Sequence, residues 1–229
     1  KATVDAYDGT VRFYQIDQSD PITRTLALIY PGLFQPFEAM PEGLREHIRY
    51  PEGLFSIQAR IFALYHMKDP QMFYNREDVW EIPVKETVRQ KNVMEPFYLN
   101  MRLPGQSQDS FIMLLPFTPR NKANMIAWMS AQCNLDEYGQ LMVYAFPKQR
   151  QIFGPGQIEA RIDQDTEIAQ QLTLWDQAGS SVIRGELLVI PIETSLLYIE
   201  PIYLQGTASE LPELKRIIVG YNNKVVMRE

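Results

Sequence analysis

One cysteine, Cys133, stands among 229 residues, and that scarcity excludes an internal disulfide and any thiolate metal cluster. It leaves the compartment open, because a domain of this size needs no disulfide. Cys133 closes an apolar pattern with Met125 and Met129, so it reads as buried packing rather than as a nucleophile. Histidine is nearly as rare, with only His47 and His66 present. No His-Glu-x-x-His pattern joins them, and their separation gives no metal-ligand spacing. No metal and no cofactor is expected. Cations are also in short supply. Lys and Arg number 22 against 28 Asp and Glu, a net charge of −6. That balance argues against nucleic acid, which needs a basic face, and against adsorption to anionic lipid. Lys148 and Arg150 flank Gln149, but two cations do not make a stripe. No apolar run approaches the roughly 18 residues of a membrane span, and Glu193 and Glu200 interrupt the richest region. An initiating Met and a signal-peptide pattern are both missing, and the chain opens inside an apparent strand. The expectation is a piece of a longer protein.

What is present is ordinary for a folded domain: 45% apolar and 22% charged residues, with no sign of disorder. The length suits one α+β domain over residues 1–229. Asp8-Gly9 reads as a two-residue hairpin turn. Closing it there sets Val4 opposite Phe13 and Asp5 opposite Arg12. The buried face would then be Val4, Ala6, Val11 and Phe13, with Asp5 and Arg12 an ion pair on the other side. Pro41 and Pro51 suit first helical positions, with Glu42 and Glu52 near the positive helix end. Leu54, Ile57, Ile61 and Leu64 recur at three and four residues and predict the buried face of a helix reaching His66. Asp69-Pro70 reads as an N-cap and helix start.

From Glu81 to Pro104 the Pro-punctuated sequence predicts an irregular surface segment. Phe111 to Leu115 and Leu141 to Phe146 read as strands separated by a helix around Lys122 to Gln132. Ile158 to Leu174 reads as helical. Val182 to Ile192 and Leu196 to Leu204 read as strands, with Pro191 and Pro201 confined to edges or bulges. Asn222-Asn223 predicts a second hairpin. The fold class is therefore α+β, a mostly antiparallel sheet with hairpins near both termini and several packed helices.

Candidate chemistry is sparse. Asp163, Asp165 and Glu167 alternate like a calcium loop, but Ile168 and Leu174 stand where the turn glycine and bidentate Glu belong. They read as a solvated face at a helix start. Gly154-Pro155-Gly156 is a turn with no phosphate-loop lysine after it. Ser180-Ser181 lacks the nucleophile-elbow glycines. The densest polar-aromatic block runs from Phe73 to Trp80. There Asn75, Arg76, Glu77 and Asp78 set donors and acceptors between aromatics, a composition suited to gripping a sugar or peptide. The competing reading is an ion-pair network of Arg49, Arg76, Glu77 and Asp78 that pins an irregular segment. Arg49, His66, Asn75, Arg76, Glu77 and Trp80 are the candidate ligand-binding residues. No catalytic residue is assigned.

The spacing of this block, from Arg49-Tyr50-Pro51-Glu52 through Tyr65-His66 and Asp69-Pro70 to Trp80-Glu81, resembles uncharacterised protein family 0182. Further landmarks carry the resemblance: Val4 to Gly9, Leu103-Pro104-Gly105, Pro116 to Pro119, Tyr138-Gly139, Leu172 to Trp175 and Tyr198 to Pro201. Gly53, in place of an acidic residue, and Glu186, in place of Asn, depart from the family pattern. The family comprises multi-pass membrane proteins of bacteria and archaea with no assigned activity. The resemblance implies a large water-exposed region outside the cytoplasm, and the membrane part of the same polypeptide as partner. The expected function is a non-catalytic binding, assembly or envelope role, with a polar small ligand or envelope component as a possible partner. The alternative is an envelope hydrolase using a His/carboxylate acid-base pair near residues 66–81, such as His66 with Asp69 or Glu77 with Asp78.

Overall fold

The computed structural model describes residues 1–86, 91–147, 149–177, 179–192, 195–206 and 211–229. The expectations touching Lys148 and Glu193 lie outside these residues. The protein is α+β and its sheets are mostly antiparallel. It divides into two compact units, one of Lys1–Arg49 with Asn134–Asp136, the other of Tyr50–Cys133 with Glu137–Glu229.

The first unit holds β1 (Ala2–Val4), β2 (Val11–Gln15), α1 (Pro21–Ile29), β3 (Phe34–Pro36) and the single-turn α2 (Glu42–Arg45). β1 and β2 are antiparallel, and β3 joins β2 in parallel. The hairpin forms, but its register is displaced by two residues: Val4 faces Val11 and Ala2 faces Phe13. Asp5 is drawn into the turn, where its carboxylate accepts from the Tyr7 amide at 2.8 Å. Asp8 accepts from Thr10 N at 2.8 Å. These local bonds close a longer loop than two residues, and they replace the expected pairing of Asp5 with Arg12. The expected burial is also reversed. Val4, Val11 and Phe13 are exposed, and Tyr14, on the opposite face, is buried. Asp20 caps α1, accepting from the Thr23 amide at 2.7 Å and from its hydroxyl, and these bonds hold its carboxyl below the usual range.

The second unit begins with α3 (Glu52–Tyr65) and α4 (Pro70–Asn75). Pro41 and Pro51 are N-caps, one residue before the first helical position. The short strands β4 (Trp80–Glu81), β5 (Val84–Glu86) and β6 (Lys91–Val93) lead into β7 (Phe97–Arg102), β8 (Asp109–Pro119), β9 (Ala127–Gln132) and β10 (Leu141–Ala145). Thus the segment from Glu81 to Pro104, expected to be irregular, carries a ribbon (β5 with β6) and a full sheet strand. Residues expected to form a helix around Lys122–Gln132 form β9 instead. All six of its residues are buried, because both faces of the sheet β10-β9-β8 are covered. The alternation that marks a half-exposed strand is therefore absent from the sequence. β8 shows the two faces directly. Ile112 and Leu114 enter one core, while Met113, Leu115 and Phe117 enter the other, with Phe55, Ala59 and Ala63 of α3.

α5 (Pro155–Gln164) and α6 (Thr166–Trp175) follow. The single helix expected from Ile158 to Leu174 is broken at Asp165, whose side chain caps α6 by accepting from Ile168 N at 3.0 Å. Gly154 precedes α5 where the backbone runs against the Ala123 carbonyl, leaving no room for a Cβ. The last sheet is β11 (Ser180–Arg184), β12 (Leu188–Ile192), β13 (Ser195–Gly206), β14 (Glu213–Tyr221) and β15 (Lys224–Arg228). Its order is β11-β13-β14-β15, with β12 also beside β13. Pro191 sits on the edge strand β12, as expected. Pro201 lies inside the central strand β13 but opposite the break between β11 and β12. Its carbonyl accepts from Gly185 N at 2.8 Å, and the ladder to β14 shifts register just beyond it, between Ile202 and Tyr203, so the expected irregularity lies next to the proline. Tyr221 pairs with Lys224 around Asn222, which adopts φ 52°, and the expected hairpin is present.

Candidate functional site

The block from His66 to Glu81 is assembled by the end of α3, by α4 and by the entry into β4. Asp69 caps α4 through bonds from Gln71 N at 2.8 Å and Met72 N at 3.0 Å. That use of its carboxylate answers the sequence pattern Asp-Pro. α4 then stops at Arg76, whose φ of 55° is left-handed. The Glu77 amide reaches back to the Met72 carbonyl at 3.1 Å, the closing bond of a Schellman-type helix end. Asn75, Arg76 and Glu77 are exposed on this turn, and Glu77 accepts from Asn75 Nδ2 at 2.8 Å. Among the described residues, neither Arg76 nor Glu77 forms an ion pair.

His66 and Trp80 are brought together. Their rings lie 3.9 Å apart at 31°, and Trp80 also meets Phe62 at 6.0 Å and Phe117 at 5.7 Å. His66 Nδ1 is 3.2 Å from the Phe62 carbonyl. A carbonyl only accepts, so Nδ1 is the donor in this contact when it is protonated. Nε2 faces Asp78 Oδ2 at 3.7 Å, and the other Asp78 oxygen accepts from Trp80 Nε1 at 3.3 Å. The His66 side chain is 10% exposed and Trp80 is 8% exposed. This arrangement fastens the end of α3 to the start of β4. The histidine thus faces Asp78, not Asp69. Arg49 belongs to the first unit, where it is exposed and its carbonyl accepts from Lys1 Nζ at 2.5 Å. His47, expected on a helix, follows α2 in an exposed turn.

Several cavities open elsewhere in the second unit, two of them walled by groups of charged residues. One of about 610 Å³ is walled by Glu81, Lys122, Glu159 and Asp163 and by the start of α5. Glu159 is only 4% exposed. The other, about 580 Å³, is walled by Glu52, Gly53, Arg60, Glu95 and Glu186 at the start of α3. Neither is lined by Arg49, His66, Asn75, Arg76, Glu77 or Trp80. The carboxylates of these walls are scattered along the sequence, and no short motif announces them. Gly53 and Glu186, expected from the resemblance to weaken ligand binding at their positions, line the same cavity. Among the described residues, no group of three or more His, Cys, Asp or Glu is placed to hold a metal ion.

A buried ion-pair cluster lies apart from the block. Arg184 donates to both oxygens of Glu200 at 2.8 Å and to Asp163 at 2.5 Å. Burial alone would lower its pKa, but the Glu200 and Asp163 carboxylates hold it above the ordinary arginine value. Glu200 is fully buried in β13. The pair ties the last sheet to α5. Burial, with smaller contributions from Cys133, Tyr50 and Tyr98, likewise raises the Tyr138 hydroxyl. Burial alone raises that of Tyr198.

Residues 1–175 match the model of an uncharacterised protein family, UPF0182. The UPF0182 protein of Desulforamulus reducens is 55% identical over 99% of this chain and 24% of its own length. That of Methanospirillum hungatei is 54% identical over 100% of this chain and 26% of its own. That of Trichodesmium erythraeum is 55% identical over 100% and 25%. The chain therefore belongs to this uncharacterised family, and it spans about a quarter of the length of these curated relatives. No solved structure matches it.

Proposed function

We propose that this member of uncharacterised protein family 0182 is a non-catalytic binding and assembly domain of an integral membrane protein, displayed outside the cytoplasm. The observation that carries the reading is the fate of the polar block. Asp69 is used as a helix cap, Asn75 and Glu77 pair with each other on an exposed turn, and His66 and Trp80 are stacked against a core. General acid-base catalysis needs two titratable groups that reach one substrate. The groups expected to supply them are committed to holding α3, α4 and β4 in place. No helix among the described residues is long and apolar enough to cross a membrane, so the reading assigns the membrane-embedded part to the remainder of the polypeptide.

The location is tested by a paired reporter joined after Glu229 within the full-length protein. Alkaline phosphatase should be active there and green fluorescent protein dark. The opposite pattern would remove the extracytoplasmic assignment.

One observation favours the second reading, an envelope hydrolase. His66 and Asp78 do form a His–carboxylate pair at 3.7 Å. Its imidazole, however, packs against Trp80 at a tilt of 31° and lines neither of the two charged cavities. A hydrolase reading requires His66→Gln to abolish turnover of an envelope substrate while the melting temperature holds. The assembly reading expects the same substitution to act on stability alone.

A further inference from the structure

In the first unit, more of the large hydrophobic residues are exposed than buried. Tyr14, Met40 and Ile48 are its buried hydrophobic residues among those described. α1 has no buried residue at all. Its Ile22 is 71% exposed, Leu28 82% and Ile29 58%, and the adjoining hairpin adds Val4 at 67% and Tyr7 at 102%. A nine-residue helix is well below the length of about 12 to 15 residues at which an isolated helix becomes even marginal in water. It forms only when a face is packed. Units of about 50 residues have little core, and the smallest rely on disulfides, metals or a permanent partner. The chain has one cysteine, which lies in the second unit, so no disulfide serves this one.

We infer that the exposed apolar side chains of α1 and of the β1–β2 hairpin serve as an internal docking surface. Its occupant is an apolar segment of the same polypeptide that lies outside residues 1–229. Two facts select this occupant. Residues 1–49 carry seven carboxylates against five Lys and Arg, a balance that disfavours anionic lipid headgroups. The curated relatives are about four times as long as this chain. A tethered segment acts at an effective concentration on the order of millimolar, which a free partner or second copy would have to match. The inference rests on the assembly part of the proposed function and not on its location. A cytoplasmic topology signal would leave it standing, and a failed cross-link would leave the topology result standing.

The test places the photoreactive residue benzoylphenylalanine at Tyr7 or Tyr30 of the full-length protein, co-expressed with an epitope-tagged wild-type copy. Both positions are exposed tyrosines, so an aromatic replaces an aromatic on the surface and the fold is retained. After irradiation in whole cells, mass spectrometry should map the linked peptide outside residues 1–229, in a product of single-chain mass. A product of twice that mass carrying the tag, a lipid adduct, a link to another polypeptide, or no link from either position would each overturn the inference.

Discussion

At the scale of single residues, the sharpest commitments concern buried polar groups outside the polar block. Arg184 neutralises Glu200 where that carboxylate has no access to water. Removing one partner of such a pair leaves a buried charge and costs about 3 to 5 kcal/mol, whereas replacing both by apolar residues is often close to neutral. Arg184→Ala should therefore lower the urea midpoint by about that energy divided by the slope, with the slope unchanged. The double variant Arg184→Met with Glu200→Leu should recover most of the loss. Two tyrosines give a test in pH. Burial raises the hydroxyls of Tyr138 and Tyr198, and the latter donates to the Phe153 carbonyl. The folded protein keeps these protons at a pH where the unfolded chain has lost them. Their contribution to stability is thus complete below the ordinary phenol pKa of about 10 and declines as pH rises above it. Tyrosinate absorbance from these two should appear only together with unfolding, and titration in the intact fold would contradict the assignment.

Elements show best what could be read from the sequence and what could not. Helix caps and the last hairpin were legible because their signals are local, whereas the Asp8-Gly9 hairpin closes two residues out of the expected register. Asp69-Pro70 caps α4, and Asn222-Asn223 joins β14 to β15. The break between α5 and α6 was less plain, since Asp165 had read as part of a solvated acidic run. Which face of an element is buried was not local. α3 carries two apolar stripes at helical spacing. Of the expected stripe, Leu54, Ile57 and Ile61 are exposed and Leu64 is half-buried, and Phe55, Ala59 and Ala63 are buried instead. The alanines let the helix lie close on the sheet, a property of size that a hydrophobic count misses. A direct comparison follows. Ala59→Leu should cost about 1 to 3 kcal/mol through overpacking, while Ile57→Ala should stay within about 0.5 kcal/mol as a surface change. Urea denaturation of the two variants reads the difference, and the reverse order would mean that the other face is buried. β9 was lost for the complementary reason. Ala127 and Met129 point to one core and Trp128 to the other. With no exposed side, the strand shows no period of two, and Met125, Met129 and Cys133 mimic a helical repeat.

For the whole molecule, family membership was carried by the dispersed landmarks. The class of fold followed from the mixture of hairpins and helices. The candidate site followed much less well. The block that composition singled out is a junction in which a cap, a helix end and an aromatic stack fix how α3 and α4 meet β4. The two cavities are lined by residues from distant parts of the chain, whose meeting depends on sheet topology. The central claim is that the residues from His66 to Trp80 serve the fold rather than a ligand. Native mass spectrometry of the protein, purified without chelator and compared with its His66→Gln and Arg76→Ala variants, tests this most directly. The account predicts that neither substitution removes any bound mass. A stoichiometric adduct on the parent protein that disappears in either variant, with the fold intact, would contradict it.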